Sequence, residues 1–96
     1  MKLKISSSNL KTKKFKAEFI QDGKVVQTTH FGAKGMSDYT IHKDIARRSN
    51  YRKRHKKDLK TKDPKRAGYL SYYILWGDTT DLNKNIKLYK KRFNFK

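Results

Sequence analysis

The sequence has no cysteine, a single proline and few acidic residues. Without cysteine, a disulfide scaffold, a thiolate zinc site and a cysteine nucleophile are all excluded. No apolar run approaches the ~20 residues needed to cross a bilayer, and residues 1–10 lack the apolar core of a secretory signal. We therefore expect a protein that is not secreted and that works inside a cell or a virion.

Negative charge is scarce, because 8 Asp and Glu stand against 26 Lys and Arg and leave a net charge of +18. A charge this far from zero destabilises a compact fold by self-repulsion unless a partner neutralises it. Nucleic acid is the commonest such partner, since each neutralised phosphate releases condensed counterions. An anionic membrane surface and an acidic protein face are the alternatives.

Apolar residues are also few, at 34% of the chain, a level at which disorder is common. The 6 Tyr, 5 Phe and 1 Trp argue for a folded core instead, because each large aromatic side chain buries about 150–250 Å². A chain of 96 residues is the length of one domain.

A β-hairpin is the clearest local prediction. Phe15, Ala17 and Phe19 alternate with polar residues, and Asp22-Gly23 suits a type I′ turn. The pairs expected on the covered face are Phe19 with Val26, Ala17 with Thr28, and Phe15 with His30. Residues 1–13 are set apart as a basic N-terminal arm, in which the alternation over 2–5 is compatible with a third short strand.

Helical signals follow the hairpin. Ser37 or Asp38 can cap a helix, and the spacings predict helices over 39–48 and 50–57, or one kinked helix. Asp63-Pro64 is typical of a helix start, so a central helix is expected over 64–76, with Gly77 just beyond its end.

The last helix is predicted from a cap at Thr79, Thr80 or Asp81. Its apolar stripe repeats at helical intervals and consists of Leu82, Ile86, Tyr89 and Phe93. The fold class predicted is therefore α+β. An N-terminal β-hairpin, with or without a third short strand, packs on three or four helices in a single domain over residues 14–96.

A basic segment between residues 47 and 66 holds 11 Lys and Arg against two Asp, a net charge of +9. Such a helix repels itself, and contact with phosphate would relieve that repulsion. The alternative is a solvated helix with a thin apolar seam. The predicted phosphate contacts are Arg47, Arg48, Arg52, Lys53, Arg54, Lys56, Lys57, Lys60, Lys65 and Arg66.

Two other groups of residues carry weaker signals. Tyr69, Tyr72, Tyr73 and Trp76 have helical spacing and suit a core better than a base-stacking surface. The three histidines, His30, His42 and His55, are spaced poorly for metal binding, and the few carboxylates are scattered. We therefore predict a non-enzymatic protein with no cofactor and no metal site.

Several stretches resemble a family of small basic proteins of unknown function from large nucleocytoplasmic DNA viruses, such as the chlorella viruses. The stretches that carry the resemblance lie within residues 14–93 and are Thr28–Ala33, Gly35–Thr40, His42–Asp44, Tyr51–His55, Ala67–Gly77 and Tyr89–Phe93. The resemblance implies a virion protein, located in the particle or in the infected cell, and supplies no active site.

The leading hypothesis is a largely sequence-independent DNA-binding protein that binds or compacts a genome, with RNA as another possible ligand. The alternative is a minor capsid or assembly protein whose basic faces contact acidic protein partners.

Overall fold

The computed structural model describes residues 1–96. The α+β prediction is confirmed: an antiparallel three-stranded sheet is followed by helices that pack against it. The strands, in sheet order, are β1 (Lys2–Ser7), β2 (Lys13–Gln21) and β3 (Lys24–Ala33). The α-helices are α1 (Tyr39–His42), α2 (Ile45–His55), α3 (Ala67–Leu70) and α4 (Leu82–Phe93). A 3₁₀ segment, Lys56–Thr61, continues α2, and a π turn, Ser71–Leu75, continues α3.

Strand β1 belongs to the sheet, although residues 1–13 were predicted as an arm. It pairs with β2 from Lys2 to Ser7, which is longer than the strand that the alternation suggested. Leu3 is only 2% exposed, and its amide donates to the carbonyl of Lys96 at 2.9 Å. The start of the chain is therefore held by the core on one side and by the C-terminus on the other.

The turn at Asp22-Gly23 forms as predicted, with positive φ at both residues. The predicted register is wrong, because a bulge between Phe19 and Ile20 shifts the pairing by one residue. The pairs found are Phe19 with Gln27, Ala17 with Thr29, and Phe15 with Phe31. Phe31 is therefore fully buried, whereas Val26 is 56% exposed.

The first two helices after the sheet, α1 and α2, begin at aspartate caps. Asp38 accepts a hydrogen bond from the amide of Thr40 at 2.9 Å, and Asp44 accepts from the amide of Ala46 at 2.9 Å. The predicted helix over 39–48 is interrupted at Lys43, which has a left-handed φ of 57°. The break expected at residues 49–50 is absent, because α2 runs through them.

The central helix starts later than predicted. Residues 63–66 form a turn, with the amide of Arg66 donating to the carbonyl of Asp63 at 3.1 Å, and α3 begins at Ala67. The segment from α3 to the π turn is central as expected, since Leu70 and Ile74 are fully buried. None of the helices is both long and apolar enough to span a membrane.

Helix α4 matches its prediction. Asp81 caps it by accepting from the amide of Lys84 at 3.1 Å, and the predicted stripe packs against the core cluster. Within that cluster Tyr89 is 1% exposed, and its hydroxyl donates to the carbonyl of Pro64. This contact fixes α4 to the turn before α3.

Candidate functional site

Helix α2 carries the centre of the predicted basic segment. It contains no acidic residue, and none of its side chains is fully buried. Asp44 caps its N-terminus, while four basic residues fill its last turn, where positive charge complements the helix dipole. The helix can therefore form despite its charge. The basic side chains of α2 and of the segment after it form three groups, which face the protein interior, a cleft and the solvent.

The first group faces inward. Arg48 donates through Nε to the carbonyl of Gly77 at 2.7 Å, and both Arg48 and Arg52 reach Oδ1 of Asp78, at 3.3 and 3.4 Å. The guanidinium carbon of Arg52 also lies 4.4 Å from the ring centroid of Tyr72. These two arginines, predicted as phosphate contacts, already have partners and fasten α2 to the loop after the π turn.

The second group faces a cleft of about 660 Å³ between α2 and the end of the β2–β3 hairpin. The side chains that α2 contributes recur at helical intervals and are Arg47, Asn50, Tyr51, Arg54 and His55. The opposite wall includes Lys13 and Lys14, and the floor comes from α3 and the π turn.

Aromatic rings stack along one side of the cleft. The Tyr51 ring lies between His55 and Trp76, with centroid separations of 4.2 Å to each. Burial, reinforced by the charge of Asp58, raises the pKa of Tyr51 to about 12. Both faces of the Tyr51 ring are covered, so His55, whose side chain is 38% exposed, ends the stack.

Charge in the cleft is only partly neutralised. Lys14 pairs with Asp38 at 2.7 Å, where the two side chains are 14% and 3% exposed. His55 Nδ1 lies 3.1 Å from Oδ2 of Asp58. The cleft residues Lys13, Arg47 and Arg54 have no acidic group within ion-pair distance. Three free cationic groups therefore remain at this site.

The third group, called the solvated group below, faces the solvent. Its members occur at three- and four-residue intervals along α2 and the 3₁₀ segment, and all are exposed: Lys53, Lys56, Lys57 and Lys60. None has an acidic partner. This spacing places neighbouring ammonium groups on one side of the segment.

The last two predicted contacts lie beyond the 3₁₀ segment. The carbonyl of Lys65 accepts from the hydroxyl of Thr29 at 2.7 Å and from the side-chain Nε2 of Gln27 at 3.2 Å. Arg66 approaches Asp63 at 3.7 Å. The backbone here is therefore fixed to β3, and only the Lys65 ammonium lacks an acidic partner.

The histidines lie apart from one another. His30 shares a hydrogen bond of 2.8 Å with the Ser8 hydroxyl, and the His42 ring packs 5.2 Å from that of Trp76. His55 belongs to the stack in the cleft. No group of three or more His, Asp or Glu side chains is placed to hold a metal ion.

Sequence reasoning did not identify the cleft. It assigned Trp76 to the core, and it gave Lys14 no role. Lys13 ends the predicted N-terminal arm and Lys14 begins the predicted hairpin, and neither pattern indicates that their side chains face α2. The helical spacing of residues 47, 51 and 54 was the one available signal, because it places arginine and tyrosine on a common face.

Comparison with known proteins places the chain in a family. No curated protein and no solved structure matches it. A family match covers residues 3–55, which is more than half of the chain. The matched range runs from β1 to the end of α2 and so includes both walls of the cleft. The chain therefore belongs to the family of unknown function DUF5754.

Proposed function

We propose that the protein is a non-enzymatic, largely sequence-independent nucleic-acid-binding protein. The observation that carries the proposal is that most positive charges of the basic segment have no acidic partner. Of its ten predicted contact residues, only Arg48, Arg52 and Arg66 have an acidic partner within 4.0 Å. The remaining seven keep uncompensated charge in a chain with a net charge of +18.

Phosphate is the chemistry that fits these groups. The lysines of the solvated group are flexible point charges, which suit a repeating backbone of phosphates better than one fixed ligand. Arg47 and Arg54 add planar forks that can hold phosphate oxygens in pairs. Contacts of this kind position a protein on nucleic acid without reading its sequence.

The setting we propose is the genome of a large DNA virus, in the virion or in the infected cell. The support is the resemblance of residues 14–93 to small basic proteins of such viruses. The family itself, being of unknown function, neither favours nor opposes this setting.

The experiment compares two variants with equal loss of charge. K53Q/K56Q/K57Q removes three lysines of the solvated group, and K84Q/K87Q/K91Q removes three exposed lysines of α4. Duplex DNA, single-stranded DNA and RNA of mixed sequence serve as ligands. We expect the first variant to lose at least tenfold more affinity than the second. Equal losses would show that net charge acts without a defined surface, and wild-type affinity in both would overturn the proposal.

A second candidate, an assembly protein that grips acidic partners, is favoured by one observation. Three apolar side chains on the surface before and at the start of α2 are strongly exposed: Met36 at 67%, Ile41 at 61% and Ile45 at 67%. Apolar groups beside a basic helix suit a protein interface. Pull-down of purified virion proteins after nuclease treatment tests this role. The assembly role would be established if the protein captures virion proteins without binding nucleic acid, and if I41S/I45S abolishes that capture.

A further inference from the structure

We propose that the cleft between α2 and the β2–β3 hairpin receives an unpaired nucleotide, so that the protein prefers single-stranded nucleic acid to duplex. This inference rests on the proposed function and adds to it the form of nucleic acid that is bound. It combines three properties of one cavity: its size, its uncompensated charge and its aromatic wall.

The size of the cleft suits a small organic group. Its volume of about 660 Å³ falls within the range of roughly 300–1,000 Å³ typical of ligand sites. The walls mix accessible apolar side chains, among them Met36 and Ala67, with polar ones such as Asn50 and Ser71. An inorganic anion needs no apolar wall, whereas a nucleotide has both an apolar ring face and polar edges.

The charge of the cleft suits the phosphates that flank such a nucleotide. Lys13 approaches from the sheet, and Arg47 and Arg54 approach from α2, all without an acidic partner. The two arginines stand seven residues apart, which is about 10.5 Å along a helix axis. Cationic groups at this separation can contact phosphates on the two sides of one inserted nucleotide.

The aromatic wall offers a surface for the base. Trp76 and Tyr51 are stacked within 6° of parallel, and His55 continues the stack at 23°. Because His55 is the exposed end of this stack, a base can extend it by one further ring. Stacking of this kind tolerates any base, which agrees with binding that is independent of sequence.

Stacking on His55 requires an unpaired base. In a duplex each base already has both faces covered by its neighbours, and only a flipped or single-stranded nucleotide exposes a face. The solvated lysines contact phosphate in either form of nucleic acid. The cleft therefore supplies the preference between forms, and the lysines supply affinity for both.

Trp76 provides a direct probe, since it is the sole tryptophan and it lines the cleft. Oligothymidylate and a duplex of equal length are titrated separately, with tryptophan emission and fluorescence anisotropy recorded together. We expect tighter binding of the single strand and a change in Trp76 emission that the duplex does not produce. Inorganic phosphate at equal ionic strength should leave the emission unchanged.

Variants at His55 test the stacking surface. H55A should lower the affinity for the single strand about fivefold to a hundredfold and leave the affinity for duplex unchanged. H55F keeps an aromatic ring and should restore the affinity for the single strand, which separates stacking from a loss of folding. Circular dichroism of each variant confirms the fold.

The outcomes separate this inference from the proposed function. Salt-dependent binding of both forms with equal affinity and unchanged Trp76 emission would overturn the cleft inference and leave the proposed function intact. An emission change produced by inorganic phosphate alone would show an anion site without a base and would also overturn it. Absence of binding to either form would overturn both.

Discussion

The ring of Tyr51 lies 4.2 Å from that of Trp76 and only 6° from parallel with it. Tyr51 comes from the middle of α2, and Trp76 directly follows the π turn. The contact therefore joins α2, which holds five Lys and Arg and no acidic residue, to a side chain packed against the core. Together with the contacts of Arg48 and Arg52 to the loop after the π turn, this pair sets the position of the basic residues of α2.

Removal of the Tyr51 ring should loosen α2. We expect Y51A to lower the free energy of unfolding by about 2 kcal/mol, because a half-buried aromatic ring is lost. Y51F keeps the stack and should cost less than about 1 kcal/mol. Urea unfolding followed by Trp76 emission measures both. A Y51A protein as stable as the wild type would show that the stack does not hold α2.

Arg48 should matter for stability and Lys53 should not, although they carry the same charge. R48Q breaks the hydrogen bond to the carbonyl of Gly77 and should cost about 1 kcal/mol. Lys53 is exposed and unpaired, so K53Q should leave the melting temperature unchanged. Thermal unfolding of both variants provides the test, and equal melting temperatures would contradict the assigned roles.

Gly77 should tolerate no side chain. A Cβ at this position would lie 2.1 Å from the carbonyl oxygen of Tyr73, so G77A has to displace backbone at the end of the π turn. Gly35 has a φ of +89° and nothing within 4 Å of an added Cβ, so G35A adds only the strain of the left-handed backbone, about 1–2 kcal/mol. Chemical denaturation should rank G77A as clearly the less stable, and the reverse order would refute the close contact.

Tyr51 should make stability fall at high pH. Burial raises its pKa from 10.0 to about 12, so the folded state holds the phenol proton more tightly than the unfolded state does. The stabilisation of the folded state by this raised pKa is fully present below pH 10 and is lost as the pH rises towards 12. The wild type should therefore lose more stability than Y51F between these values. Parallel pH profiles would contradict a buried phenol, and tyrosinate absorbance gives an independent titration.

Local patterns sufficed for the parts of the fold that depend on neighbouring residues. The stripe of α4, its cap at Asp81 and the turn at Asp22-Gly23 each follow from a few adjacent side chains. The strand register did not follow, since one bulge between Phe19 and Ile20 shifts every pair that lies further from the turn. The helix start predicted at Asp63-Pro64 was also wrong, because the same residues suit a turn as well as a helix start.

The candidate site was predictable only in part, for a related reason. The basic character of residues 47–66 is evident from composition. The separation of those residues into inward, cleft and solvated groups depends on distant partners. Arg48 and Arg52 meet Asp78, which lies 26 to 30 residues further along the chain. Lys13 reaches the cleft only because the hairpin folds beside α2.

The salt dependence of DNA binding tests the central claim most directly. If about six phosphates are neutralised, the logarithm of the association constant should fall with the logarithm of salt concentration with a slope of about −5. K53Q/K56Q/K57Q should bring that slope closer to zero by about 3, which is one phosphate contact for each lysine removed. A wild-type slope near zero, or no binding at about 50 mM salt, would contradict the account.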